Sequence, residues 1–325
     1  MTVTLGDIIA AAGRLRGQAV ATPILESPAL NDRLGGRVLI KAETLQRVGA
    51  FKFRGAYNRL SQMTAAQQVG GVVAFSSGNH AQGVALVSRL LDMPALIVMP
   101  SDAPRVKIEA TAGYGAEIRL YDRARENREA IAASLAAERG AVVVPAFDDL
   151  MIIAGQGTVG LEIADQTAER NLSLDLVIGP VGGGGLMAGV GVAIKARSAA
   201  TELFGVEPAG FDDTRLSLEA GERRGAPPAS RSLCDALESP MPGQLTFPLL
   251  QANISGVVSV TDAEVTEAMR YAFATLKLVV EPGGVVALAV LLAGRIRLEG
   301  RTAAIILSGG NVDPELFGRV LAKAI

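Results

Sequence analysis

The stretch Val72-Val73-Ala74-Phe75-Ser76-Ser77-Gly78-Asn79-His80-Ala81-Gln82-Gly83-Val84-Ala85-Leu86-Val87-Ser88-Arg89-Leu90-Leu91 decides the fold class. Four apolar residues form a short run that suits a strand buried on both faces. A small polar loop follows, Ser76 to His80. Beyond it Val84, Ala85, Val87 and Leu91 recur at helical spacing. The same order then repeats. Residues 95–99 read as a strand, 103–112 as a helix, 117–120 as a strand, 127–139 as a helix and 141–144 as a strand. Strands alternating with helices of this length require crossover connections, hence a parallel sheet wound on both faces.

Outward from that unit, the C-terminal half shows a second alternation. Residues 155–166 read as a helix, 175–178 as a strand, 186–196 as a helix and 202–206 as a strand. After a less regular stretch at 221–243, residues 265–276 and 285–292 read as helices, 303–307 as a strand and 314–323 as a helix. Thr64-Ala65-Ala66-Gln67 and Thr261-Asp262-Ala263-Glu264 carry capping-box spacing and mark helix starts. N-terminally, residues 1–17 read as a helix, 27–34 as a polar helix ended by Gly35-Gly36, and 38–41 as a strand. The expectation is α/β, with a small domain at 71–148 and a large one built from 1–70 and 149–325.

Composition narrows the function. With 31 basic against 33 acidic residues and a net charge of −2, no basic surface for nucleic acid is expected. Cys234 is the only cysteine, which excludes an intramolecular disulfide and suits a reducing, cytoplasmic setting. The segment 1–17 carries Asp7, Arg14 and Arg16 and does not read as a signal peptide. The apolar run 276–294 is broken by Glu281-Pro282-Gly283-Gly284, so no membrane span is expected. His80 is the only histidine, which rules out a zinc site of several imidazoles.

Three strands end in small or glycine-rich loops, at 76–80, 182–185 and 308–311, and such loops converge at the carboxyl edge of a parallel sheet. Gly182-Gly183-Gly184-Gly185 between a strand and a helix suits a phosphate, because backbone N–H groups can close on an anion ahead of a helix dipole. Two other readings stay open: close helix–strand packing, and a dinucleotide fingerprint in Gly183 to Ala188 with Glu202 as the ribose acid. The polar loop Ser76 to His80 offers donors for a carboxylate, or is a capped helix start with Ser77 or Asn79 as the cap. Lys52 lies between Phe51 and Phe53 at a helix start, where desolvation and the helix dipole favour a neutral amine fit for Schiff-base chemistry. It is alternatively a lysine whose tip reaches water. Glu207, Asp212 and Asp213 read alone as a solvated acidic loop, or with loop carbonyls as a site for a hard divalent cation.

Taken together and in this order, the Lys52 segment, the Ser-Gly-Asn-His loop, the tetraglycine loop and Ser308-Gly309-Gly310-Asn311 resemble the pyridoxal-phosphate enzymes of the threonine dehydratase and serine racemase type. The resemblance spans nearly the whole chain. It implies a fold type II enzyme of two doubly wound parallel-sheet domains, with pyridoxal 5'-phosphate in the cleft between them. It implies that Lys52 is the Schiff-base lysine and Phe51 faces the cofactor ring. Asn79 would bond the ring hydroxyl, Gly182, Gly183, Gly184, Gly185 and Leu186 the phosphate, and Ser308 the pyridine nitrogen. Ser76, Ser77, Gly78, Asn79 and His80 would hold the substrate, with Ser77 a second base in racemase-like members. Glu207, Asp213 and the Phe211 carbonyl would bind Mg²⁺, Mn²⁺ or Ca²⁺. The implied activity is an ammonia-lyase on a β-hydroxy amino acid (L-threonine, L-serine or threo-3-hydroxyaspartate), acting as a homodimer. The alternatives are a racemase, an NAD(P) oxidoreductase and a non-catalytic amino-acid-binding protein. Asp235-Ala236 departs from the usual Asp-Gly, and Arg47 is a candidate partner for a second substrate carboxylate.

Overall fold

The computed structural model describes residues 2–227 and 231–325. Ten strands are found among them: β1 Ile24–Glu26, β2 Arg37–Ala42, β3 Val72–Phe75, β4 Ala95–Pro100, β5 Glu117–Tyr121, β6 Val142–Val143, β7 Leu176–Pro180, β8 Glu202–Pro208, β9 Gly256–Val260 and β10 Thr302–Leu307. They form two sheets. The larger runs β1-β2-β10-β7-β8-β9, and the smaller runs β5-β4-β3-β6. All pairings are parallel except β1 with β2. The smaller sheet takes its strands from residues 72–143, and both ends of the chain contribute to the larger.

Helices cover both faces of the larger sheet, so its central strands are apolar throughout: β7 is buried at every position and β10 at all but its first. The helix Pro282–Leu292 is buried around nearly its whole circumference, which accounts for the long apolar run. No helix among the described residues is long and apolar enough to cross a membrane. Both capping boxes form, at Thr64 and Thr261.

Some boundaries differ from expectation. The helix expected at 155–166 runs Leu150–Ala168, because Asp149 caps it through Met151 N and Ile152 N at 2.8 and 3.0 Å. The helix expected at 265–276 is Asp262–Tyr271, followed by a wide π turn that ends at Lys277 in the left-handed region. Helices Asp213–Ala220 and Thr246–Asn253, and strand β9, were not legible as periodic segments. Of the stretch expected to be irregular, residues 228–230 lie outside the described residues.

The helix Lys52–Leu60 is clamped against Leu150–Ala168. A Cβ on Gly155 would stand 2.7 Å from the Arg54 carbonyl oxygen, so the backbones meet there without side chains between them. A buried ionic cluster fixes the same contact. Arg54 reaches Glu43 at 2.8 Å and Glu162 at 2.6 Å, and Lys41 reaches Glu162 at 2.6 Å. The element that presents Lys52 is therefore rigidly seated.

Candidate active site

The loops after β3, β7 and β10 open on one cavity of about 410 Å³ between the two sheets. Lys52 is the first residue of its helix. Its backbone is aimed by Phe51, whose N–H donates to the Ser308 carbonyl at 3.1 Å. The Lys52 amine donates to the Ala146 carbonyl at 2.8 Å and lies 5.2 Å from the centre of the Phe51 ring. The cleft leaves some of the side chain accessible, but protein atoms crowd the amine. Burial pushes its pKa down to about 8, against the pull of the Glu281 carboxylate. A sizeable neutral fraction near physiological pH follows.

The loop Ser76 to Gly78 leads into the helix Asn79–Leu90. Neither Ser77 nor Asn79 caps that helix. Gly78 occupies the cap position, and no side chain accepts from the first turn. Its leading N–H groups are thus available to an anion in the cavity. Asn79 is buried with both ends engaged: its Nδ2 donates to Glu281, and its Oδ1 accepts from Asn311 at 2.8 Å. His80 Nε2 lies 3.0 Å from the Val144 carbonyl, so Nε2 carries the proton, and Nδ1 has no partner among the described residues. Burial, reinforced by Lys52, pushes the imidazole down to about 3.

The tetraglycine loop forms the opposite wall. Gly184 caps the helix Gly185–Arg197 with φ +93°, a conformation that favours glycine, and no side chain accepts from the helix start. A Cβ there would meet Leu250 Cδ1 at 2.7 Å and Thr246 Oγ1 at 2.9 Å. Thr246 Oγ1 donates to the Gly183 carbonyl at 2.7 Å and holds the loop from behind. Gly182 to Gly185, Leu186 and Ser308 all line the same cavity as Lys52, Phe51 and Ser76 to His80. The residues singled out in sequence for the cofactor and the substrate carboxylate are therefore brought together.

Two expectations fail on placement. Glu202 begins β8 in register with Leu176, at the end of the sheet away from the glycine loop, and its carboxylate pairs with Arg301 at 3.2 Å. A ribose acid belongs at the loop end, so the dinucleotide reading does not fit. Arg47 does not line the cavity, because its guanidinium stands 5.5 Å over the Phe53 ring. Conversely, Lys107, Arg128 and Glu281 line the cavity and were not found from sequence. Glu281-Pro282 carries the signal of a helix start, with proline in the first turn, but nothing local shows that it faces Asn79.

Glu207 and Asp213 are fully buried, not solvated. Glu207 accepts from Thr214 N at 2.9 Å and Arg215 N at 3.1 Å. Both Asp213 carboxylate oxygens lack a donor among the described residues. Burial, then the neighbouring Asp213, pushes Glu207 up to about 8, and burial pushes Asp213 up to about 7. Paired carboxylates in this state suit a divalent cation, which would replace the missing donors. No group of three or more His, Cys, Asp or Glu side chains among the described residues is arranged to hold a metal ion, so backbone carbonyls and water would complete the shell.

Residues 15–309 match the family profile described as "Pyridoxal-phosphate dependent enzyme". The L-threo-3-hydroxyaspartate ammonia-lyase of Pseudomonas sp is 43% identical over 315 residues, covering 97% of both chains. The serine racemase of Schizosaccharomyces pombe is 36% identical over 320 residues, covering 98% of both. Among solved structures, maize serine racemase superposes with a TM-score of 0.93 at 34% identity, covering 100% of this chain and 98% of that one. A threonine deaminase from T.th. gives 0.89 at 41% identity, covering 95% of this chain and 99% of that one.

Proposed function

The chain belongs to the family of pyridoxal-phosphate dependent enzymes, and on that premise we propose that it is an ammonia-lyase for a β-hydroxy amino acid, with L-threo-3-hydroxyaspartate as substrate. The observation that carries the lyase reading is the meeting, in one cavity, of the Lys52 amine with two uncapped helix starts on opposite walls. In this reading residues 71–148 act as the substrate-loop domain, and 1–70 with 149–325 as the cofactor domain.

The wall at Gly182, Gly183, Gly184, Gly185 and Leu186 holds the phosphate of pyridoxal phosphate on backbone N–H groups. Phe51, Asn79 and Ser308 line the same cavity and would hold the ring, Phe51 by its face, Asn79 at the hydroxyl and Ser308 at the nitrogen. When bound, the cofactor supplies an aldehyde for the substrate amino group and a conjugated ring that withdraws electrons from Cα. Ser76, Ser77, Gly78 and the helix start at Asn79 and His80 hold the α-carboxylate. As a neutral amine, Lys52 Nζ takes the Cα proton. The β-hydroxyl leaves as water with the proton that Lys52 removed, which restores the neutral amine, and hydrolysis of the resulting enamine consumes a water and releases a 2-oxo acid and ammonia. In this reading Ser77, which lines the cavity, returns a proton to Cα from the face opposite Lys52, which would add a racemase side activity. Glu207, Asp213 and the Phe211 carbonyl hold a divalent cation that ties the end of β8 to the helix behind it.

Arg128 supports the choice of a dicarboxylic substrate. It lines the cavity with its guanidinium 5.5 Å over the Phe75 ring and has no carboxylate partner among the described residues. Lys107, by contrast, is already paired with Asp235 and Glu281. The test is 2-oxo acid release from L-threo-3-hydroxyaspartate, L-serine and L-threonine. Lys52→Ala should abolish release. Arg128→Ala should lower kcat/KM for hydroxyaspartate by about 10- to 100-fold, the worth of a charge-assisted hydrogen bond, and leave L-serine nearly unchanged. Equal losses on both would refute the dicarboxylate reading. No release from any substrate by the wild-type holoenzyme would refute the lyase itself.

A further inference from the structure

Lys107 belongs to the helix Arg105–Gly113, which follows β4 of the smaller sheet. Its side chain lines the cavity and is almost wholly buried, at 4% exposure. The amine meets Asp235 Oδ2 at 2.8 Å and Glu281 Oε2 at 3.5 Å, both on segments of the larger-sheet side. Along the way its stem lies over Gly78. A Cβ on Gly78 would stand 3.0 Å from Lys107 Cδ and 3.2 Å from its Nζ. Lys107 thus touches the substrate loop with its methylenes and the opposite side of the cleft with its charge.

We propose, building on the lyase reading, that Lys107 is a positioning residue: an ionic strut that presses the Gly78–His80 segment into its binding geometry. Burial alone would strip the lysine of its proton, but the two carboxylates outweigh it and raise the pKa. Burial raises the Glu281 pKa, and Lys107 opposes that rise. Glu281 in turn accepts from Asn79 Nδ2. One cation therefore orders two things at once, the backbone at Gly78, over which its stem lies, and the amide of Asn79. Removing the charge leaves two carboxylates facing each other and frees the loop.

The test uses the holoenzyme with Lys107→Met, which keeps the stem and deletes the charge, and Asp235→Asn, which alters the partly exposed end of the strut. Amide hydrogen exchange should accelerate at residues 78–80 by about tenfold or more in Lys107→Met. It should change in the same direction in Asp235→Asn, with β7 unaltered in both. KM for L-threo-3-hydroxyaspartate should rise about tenfold, with kcat falling less than about threefold. Unaltered exchange at 78–80 in folded Lys107→Met would overturn the proposal. If that variant does not fold, unaltered exchange in Asp235→Asn overturns it. Exchange is read without turnover, so failure of the lyase reading, seen as an inactive wild type, is a separate result.

Discussion

The single histidine permits an unusually clean test of the site's electrostatics. His80 donates from Nε2 to Val144, and its buried Nδ1 has no partner among the described residues. Its pKa is pushed down to about 3, burial leading and the Lys52 charge adding to it. An unfolded chain carries the same imidazole at about 6.5. Between these values the unfolded state binds the extra proton, so stability falls as the pH drops below about 6.5. Integrated from about pH 8 to pH 5, this one group removes about 2 kcal/mol. Buried carboxylates elsewhere work in the opposite direction, so the comparison must be differential. His80→Gln retains an N–H for Val144 and cannot titrate in this range. The unfolding free energy of the wild type, minus that of the variant, should shrink by about 2 kcal/mol between pH 8 and pH 5 in urea. The only histidine Cε1–H resonance of the folded protein should stay constant over the same range. A resonance titrating with a midpoint near 6, or a constant difference in stability, would refute the reasoning. If it holds, His80 is a neutral positioning group and no general acid at neutral pH.

In the glycine cup, Gly184→Ala forces an alanine into φ +93° and against Leu250 and Thr246. It should cost about 1–3 kcal/mol and appear as weaker pyridoxal-phosphate binding in an absorbance titration. Arg54→Met leaves Glu43 buried beside only Lys41 and Thr22, and should lower unfolding stability by about 3–5 kcal/mol, measured by denaturant midpoint. At the carboxylate pair, the raised pKa values of Glu207 and Asp213 contribute stability that is lost as the pH rises through about 7 and 8. Mg²⁺ or Ca²⁺ at a hundredfold excess over the Kd at pH 8.5 should stabilise the fold by about 2.7 kcal/mol there, and the same concentration should raise Tm less at pH 6, where protons compete for the two carboxylates. Glu207→Gln should weaken that dependence, leaving the part that Asp213 carries.

Much of this was legible in one dimension. The alternation from Val72 to Val144, the polar loop at 76–80, the tetraglycine loop and the Ser308 loop are contiguous signals. Backbone periodicity and glycine placement act over a few residues, so they read directly from the chain. The convergence of those loops followed from a general rule of parallel sheets, and the structure realises it in one cavity. Even Lys52 could be placed at a helix start, because Phe53, Ala56, Tyr57 and Leu60 recur on one face.

What only the tertiary structure decided is the pairing of charges. Lys107 meets Asp235 across 128 positions of sequence, and Asn79 meets Glu281 across 202. No local pattern marks either contact, because a lysine on a helix looks the same whether its tip reaches water or a carboxylate. The same holds for Arg47, which sequence proximity placed at the substrate and the fold turned onto the Phe53 ring. It holds also for Glu207 and Asp213, whose acidic neighbourhood reads as solvated until β8 and the following helix bury it. Local periodicity and backbone freedom determined the elements and the loops. Burial is a property of the assembled molecule, and burial determined which charged side chains became part of the site.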